Sequence, residues 1–121
     1  MKITSKYFSE KEFRNCSPSC SLQDMNQVTM EMLDDARSIA GIPFVINSAY
    51  RSSYWDKSKG RSGIGAHTTG EAVDIRCNTD ANRFKIIYAL IRAGFTRIGV
   101  AKTYIHADSC MRLPQEVTWM Y

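Results

Sequence analysis

The chain has little histidine. There are two in 121 residues, His67 and His106, so any site that needs more than one imidazole must use both. Proline is also scarce, at three residues, and no Pro- or Gly-rich tract marks a linker or a low-complexity segment. No apolar run approaches the ~20 residues that a membrane span requires, so no membrane segment is expected. The stretch Met1-Lys2-Ile3-Thr4-Ser5-Lys6 has no apolar signal-peptide core behind it. Synthesis in the cytoplasm is expected, and action outside it would need another means of delivery. Of the four cysteines, Cys16, Cys20, Cys77 and Cys110, no two form a Cys-x-x-Cys pair, so a four-thiolate zinc site has no spacing to support it. Cys16 and Cys20 suit a local disulfide in an oxidising compartment, whereas buried free thiols are the expectation in a reducing one.

What is present reads as an ordinary globular chain. A 44% hydrophobic fraction beside 23% charged residues is enough to build a core, and the length suits one domain over residues 1–121. A monomer is expected. The formal charge is +4 and the pI about 9.0. Lys and Arg are spread along the chain, which describes a solvated basic surface. Attraction to a polyanion such as a bacterial wall is the sharper reading. No nucleic-acid-binding motif accompanies the charge, and no nucleic-acid partner is expected.

Local patterns place the elements. Ser9-Glu10-Lys11-Glu12 has the form of a capping box, with Phe8 and Phe13 as its hydrophobic staple, and Asn15 to Ser21 is rich in turn formers. Apolar residues at Met25, Val28, Met32, Ala36 and Ile39 predict a helix from about Leu22 to Ala40, stopped by Gly41 and Pro43. Phe44-Val45-Ile46 predicts a short buried strand. Ser52 to Ala66 reads as a long surface loop, with Tyr54 and Trp55 placed either to stack on a ligand or to cap the core edge. A strand is expected over Ala72 to Cys77. A helix follows from Thr79 or Asp80 to Ala93, with Phe84, Ile87, Tyr88 and Ile91 on its buried face. Strands are expected over Phe95 to Val100 and Tyr104 to Asp108, and Glu116 to Tyr121 suits an edge strand. The class is α+β, a small, mainly antiparallel sheet with packed helices.

Two segments stand out. One is Gly65-Ala66-His67-Thr68-Thr69-Gly70-Glu71-Ala72-Val73-Asp74-Ile75, and the other is Tyr104-Ile105-His106-Ala107-Asp108. On a strand Ala72 and Asp74 share a face, and small Ala72 leaves room beside the carboxylate. His67, Asp74 and His106 together offer three ligands for one zinc ion, with a fourth position left for water, which is the pattern of a catalytic rather than a structural zinc site. A third segment, Ser48-Ala49-Tyr50-Arg51-Ser52, lies upstream.

In these three segments, from the Phe8 region to Asp108, the chain resembles the zinc D-alanyl-D-alanine carboxypeptidases, part of a wider group with lysostaphin-type enzymes and the Hedgehog signalling domain. The resemblance rests on His67, Gly70, Ala72 and Asp74, on His106 with Asp108, and on the Ser-x-Tyr-Arg-Ser turn. It implies a Hedgehog/DD-peptidase-like fold, one Zn2+, and hydrolysis of stem or cross-bridge peptides in peptidoglycan. The compact length and missing signal are similar to phage-type wall enzymes. Arg51 corresponds to the arginine that holds a substrate carboxylate or a developing oxyanion, and Ser48 and Tyr104 fall where they would line the same site. The chain departs from several relatives at Thr103, where a Glu stands three residues before the last ligand, and at Gly65, where many carry Ser. With that Glu missing, Asp108 is the candidate general base, its other role being support of a ligand. The alternative function is a zinc-containing wall-binding module without catalysis.

Overall fold

A computed structural model describes residues 2–14 and 20–121. The expected turn-rich stretch at 15–21 lies mostly outside the described residues, and so does Cys16. Cys20 is disulfide-bonded, while Cys77 and Cys110 are buried free thiols.

Five strands form one sheet: β1 (Ile46–Ser48), β2 (Ala72–Arg76), β3 (Arg97–Val100), β4 (Tyr104–Asp108) and β5 (Val117–Met120). Their spatial order is β1-β2-β4-β3-β5. The first three pairings are antiparallel and β5 joins β3 in parallel, so the class is α+β with a mainly antiparallel sheet. Two long helices, α1 (Gln27–Ala40) and α3 (Asp80–Arg92), pack against each other over one face of it. A one-and-a-half-turn helix, α2 (Ser53–Ser58), lies between β1 and β2. No helix among the described residues is long and apolar enough to cross a membrane.

Strand alternation divides the sheet into a dry face and a chemical face. Val73, Ile75, Ile98, Ile105 and Ala107 point into the core, where they meet Met30, Leu33, Ile86 and Leu90 from the two helices. Their neighbours Ala72, Asp74, Arg97, Gly99, His106 and Asp108 fall on the opposite face. The register puts Asp74 directly across from His106, and Ala72 across from Asp108. Each buried aliphatic side chain contributes about 1.5–3 kcal/mol, so a register slip that exchanged the faces is heavily disfavoured.

Several expectations need correction. The helix expected from Leu22 is broken: Leu22–Asp24 form a 3-10 turn, and α1 starts anew after Asn26, whose side chain accepts the Thr29 N–H. The buried stripe of α1 is Thr29, Met30, Leu33 and Ala36, while Val28 and Ile39 are exposed. In α3 the buried residues are Ile86, Ala89 and Leu90, while Phe84, Tyr88 and Ile91 lie outside. Of the expected stripe of α1 only Ala36 is fully buried within the helix, and in α3 the small residue Ala89 belongs to the buried face. β1 begins at Ile46 instead of Phe44. The expected long loop contains α2, capped by Ser52 through its hydroxyl and the Trp55 N–H. The N-terminal staple is as expected, with Phe8 and Phe13 edge to face at 6.2 Å and Glu12 accepting the Ser9 N–H.

Candidate metal centre

His67 sits in a 3-10 turn, Ala66–Thr69, that ends at Gly70 in the left-handed conformation. Gly70 answers two demands. Its φ of +73° disfavours a side chain, and a Cβ there would stand 2.3 Å from the Asp24 carbonyl oxygen. The chain thereby passes close under the start of α1, where Asn26 N–H donates to the Gly70 carbonyl, and enters β2 with Asp74 on the chemical face. His106 comes from β4 beside it. The ligand atoms of His67, Asp74 and His106 all lie within 4.8 Å of one another.

The partners fix which nitrogens are available. His67 Nδ1 stands 2.6 Å from the Ala49 carbonyl oxygen, which can only accept, so Nδ1 carries the proton and Nε2 presents its lone pair toward Asp74 Oδ1 at 3.4 Å. His106 lies between two carboxylates. Its Nδ1 is 3.0 Å from Asp74 Oδ1 and its Nε2 is 2.7 Å from Asp108 Oδ2. Asp74 Oδ1 thus has an imidazole nitrogen on either side, and once His106 Nδ1 gives up its proton the three groups could hold one cation. Imidazole, imidazole and carboxylate are the donor set of a zinc site, and each imidazole has its other nitrogen engaged by an oxygen.

Without a metal, the cluster is held by its own charges. Burial would raise the Asp74 pKa, but hydrogen bonds from His106 and His67 outweigh it and hold the carboxyl far below its usual range. Burial would lower the His106 pKa, but its hydrogen bonds to Asp108 and Asp74 win and raise it. Asp108 is likewise lowered, its burial outweighed by the bond to His106. Asp108 is 1% exposed and fully engaged: Oδ2 serves His106, and Oδ1 accepts from Arg97 Nε at 2.8 Å and from the Cys110 N–H at 3.1 Å.

These groups line a cleft of about 610 Å³. Arg51 reaches into it from the β1–α2 connection. Its Nε lies 3.4 Å from buried Asp56, close enough for an ion pair though misdirected for a hydrogen bond, and Nη1 donates to Ser48 at 3.4 Å. Burial, then the nearby Arg61, lowers the Arg51 pKa; a guanidinium nonetheless stays charged. Tyr104 lines the cleft too, and burial, followed by Tyr121 and Asp74, raises its pKa, so its hydroxyl keeps its proton. Ser48 does not line the cleft but sits behind Arg51. Tyr54 and Trp55 do not reach it; Trp55 packs instead under Lys59, 4.4 Å from the ring centre. Thr103 lies in the β3–β4 turn, outside the cleft lining, where its carbonyl receives the Cys77 N–H.

Sequence reasoning alone missed Arg97, Trp119, Arg61 and Tyr121 as cleft residues. For Arg97 a signal existed, since it shares strand parity with Gly99 and so the face of His106. For Trp119 and Tyr121 none did, because their placement depends on β5 pairing in parallel with β3.

No curated protein matches the chain significantly. The family described as Peptidase M15 matches residues 6–108, a span that contains His67, Asp74, His106 and Asp108. The chain belongs to the Peptidase M15 family.

Proposed function

We propose that the protein is a zinc metallopeptidase that hydrolyses peptide bonds in the stem or cross-bridge peptides of bacterial peptidoglycan. The observation that carries this reading is the convergence of His67 Nε2, Asp74 and His106 Nδ1 within 4.8 Å, each imidazole with its other nitrogen already engaged. Zinc held by this set would supply Lewis acidity, polarising a peptide carbonyl and acidifying water. The rest falls to the chain's own groups. Arg51 is placed to hold a substrate carboxylate or the oxygen on which charge develops. The protonated Tyr104 hydroxyl offers a hydrogen bond on the same face as His106. Asp108 has both oxygens engaged, which favours a positioning role: with zinc bound it would keep the remaining His106 proton on Nε2 and leave Nδ1 for the metal.

A second reading has one observation in its favour. The carboxylates lining the cleft are Asp74 and Asp108, and both are engaged, so no carboxylate in that lining stands ready as a general base. That favours a zinc-bearing wall-binding module. Digestion of purified peptidoglycans by zinc-loaded protein, with fragments read by mass spectrometry and His67→Ala as control, separates the two. New fragments absent from the control establish the peptidase and name the bond. Retention on the wall with no fragments leaves the binding module.

A further inference from the structure

The family match ends at residue 108, yet the chain beyond it returns to the cleft. Leu113, Trp119 and Tyr121 all line it. The return is well anchored. Arg97 Nη1 donates to the Pro114 carbonyl at 2.6 Å, Thr96 donates to Gln115 at 2.7 Å, and the Gln115 amide donates to the Cys110 and Leu113 carbonyls. Glu116, at φ 57°, then turns the backbone into β5.

Strand β5 runs beside β3 in a register that sets Trp119 against Gly99, and Gly99 in turn pairs with His106. A Cβ on Gly99 would lie 2.6 Å from the Trp119 indole nitrogen and 2.8 Å from a Tyr121 ring carbon. Glycine therefore lets both rings lean across β3 toward the metal ligands. The Trp119 ring centre is 5.4 Å from that of His106, and Tyr121 is 5.3 Å from Tyr104. Trp119 is half-buried and carries the Arg97 guanidinium at 5.1 Å, whereas Tyr121 is 64% exposed and adds little to the core. The same lining holds Arg51 and Arg61, which share the single carboxylate of Asp56.

We propose that β5 is the substrate-selecting wall of the cleft, with Tyr121 and the edge of Trp119 contacting the peptide next to the bond that is cut. The inference rests on the peptidase reading of the metal centre. The cleft combines cationic groups for an anionic end of the ligand, Arg51 and Arg61, with the aromatic rings of β5 for an apolar part. An acyl peptide with small alkyl side chains fits it, its methyl groups lying on the ring faces and its carboxylate toward the arginines. Tyr121 selects by contact and holds no metal ligand in place, so its loss weakens binding and spares the metal.

The test uses the zinc-loaded chain carrying Trp55→Phe, which leaves Trp119 as the one indole of this sequence. Soluble disaccharide-peptides from a muramidase digest of peptidoglycan are titrated while Trp119 emission and hydrolysis are both followed. Trp119 emission should respond to the fragments. Tyr121→Ala should raise both the half-saturation concentration and KM about tenfold, the worth of one aromatic contact, with kcat within about twofold. Bound zinc should stay at one per chain, and Tyr121→Phe should restore binding. Cleavage with an unchanged KM in Tyr121→Ala, or a loss of zinc and kcat without a change in half-saturation, would overturn the wall and leave the peptidase standing. Binding that depends on Tyr121 without cleavage would do the reverse.

Discussion

His106 has an oxygen at each ring nitrogen, and this arrangement explains the behaviour expected of single residues. Asp108 assigns the proton to Nε2, and Arg97 in turn fixes Asp108. Asp108→Asn keeps the shape but weakens the acceptor, and losing the partner that orients a ligating imidazole costs roughly 10–100-fold in metal affinity. Zinc competition titration should show that loss. A residue acting only as general base would leave zinc affinity unchanged while hydrolysis fell. The same cluster sets a pH dependence for protein stripped of metal. His106 is raised in the fold, so its contribution to stability is complete below its unfolded value near 6.5 and fades as pH climbs through the folded value. Asp74 and Asp108 are lowered, so theirs is complete above about 4 and fades as acid protonates them. Thermal melts of the metal-free protein should peak between about pH 4 and 6.5. Zinc competes with the His106 proton, so zinc-induced stabilisation should instead grow from pH 6 toward pH 8.

At the scale of elements, the site depends on sharp turns as much as on strands. Gly70 is the clearest case, with a positive φ and backbone packed against its α-hydrogen side. Gly70→Ala combines left-handed strain with overpacking and should cost roughly 2–5 kcal/mol, visible as a lowered melting temperature. Asp56 plays the matching part on the other side: its carboxylate gathers Arg51, Arg61 and the Gly63 N–H, and so shapes the segment between β1 and His67. Much of this scale was legible in the sequence. β2, β3 and β4 fall almost where period-2 patterning puts them, because one face of each is dry. The helices existed as expected but faced differently, since Met30 and Leu33 of α1 and Ile86 and Leu90 of α3 fill the core while Phe84 and Tyr88 stack with each other outside. α2 went unread because its only buried side chain is polar Asp56.

At the scale of the molecule, one sheet separates two kinds of energetics. Its inner face is held by burial, and its outer face carries charges that would be costly if unpaired. The three candidate ligands were readable because Asp74 and His106 stand on strands whose parity points one way, and His67 stands in a short turn motif just ahead of the first of them. The cleft as a whole was not, since its walls come from β5, the α2 segment and β3, and only the tertiary pairing brings these together. The pair Arg51 and Arg61 in the cleft lining is a local feature of that assembly, not a consequence of the net charge of +4.

The central claim is that one metal ion at His67, Asp74 and His106 drives peptide-bond hydrolysis. Its most direct test is to add zinc in steps to metal-free protein and follow the release of new amino groups from peptidoglycan. Release should rise in proportion to zinc, level off at one ion per chain, and be absent at every zinc level in His106→Ala. Hydrolysis by the metal-free protein, or by His106→Ala at full strength, would contradict it.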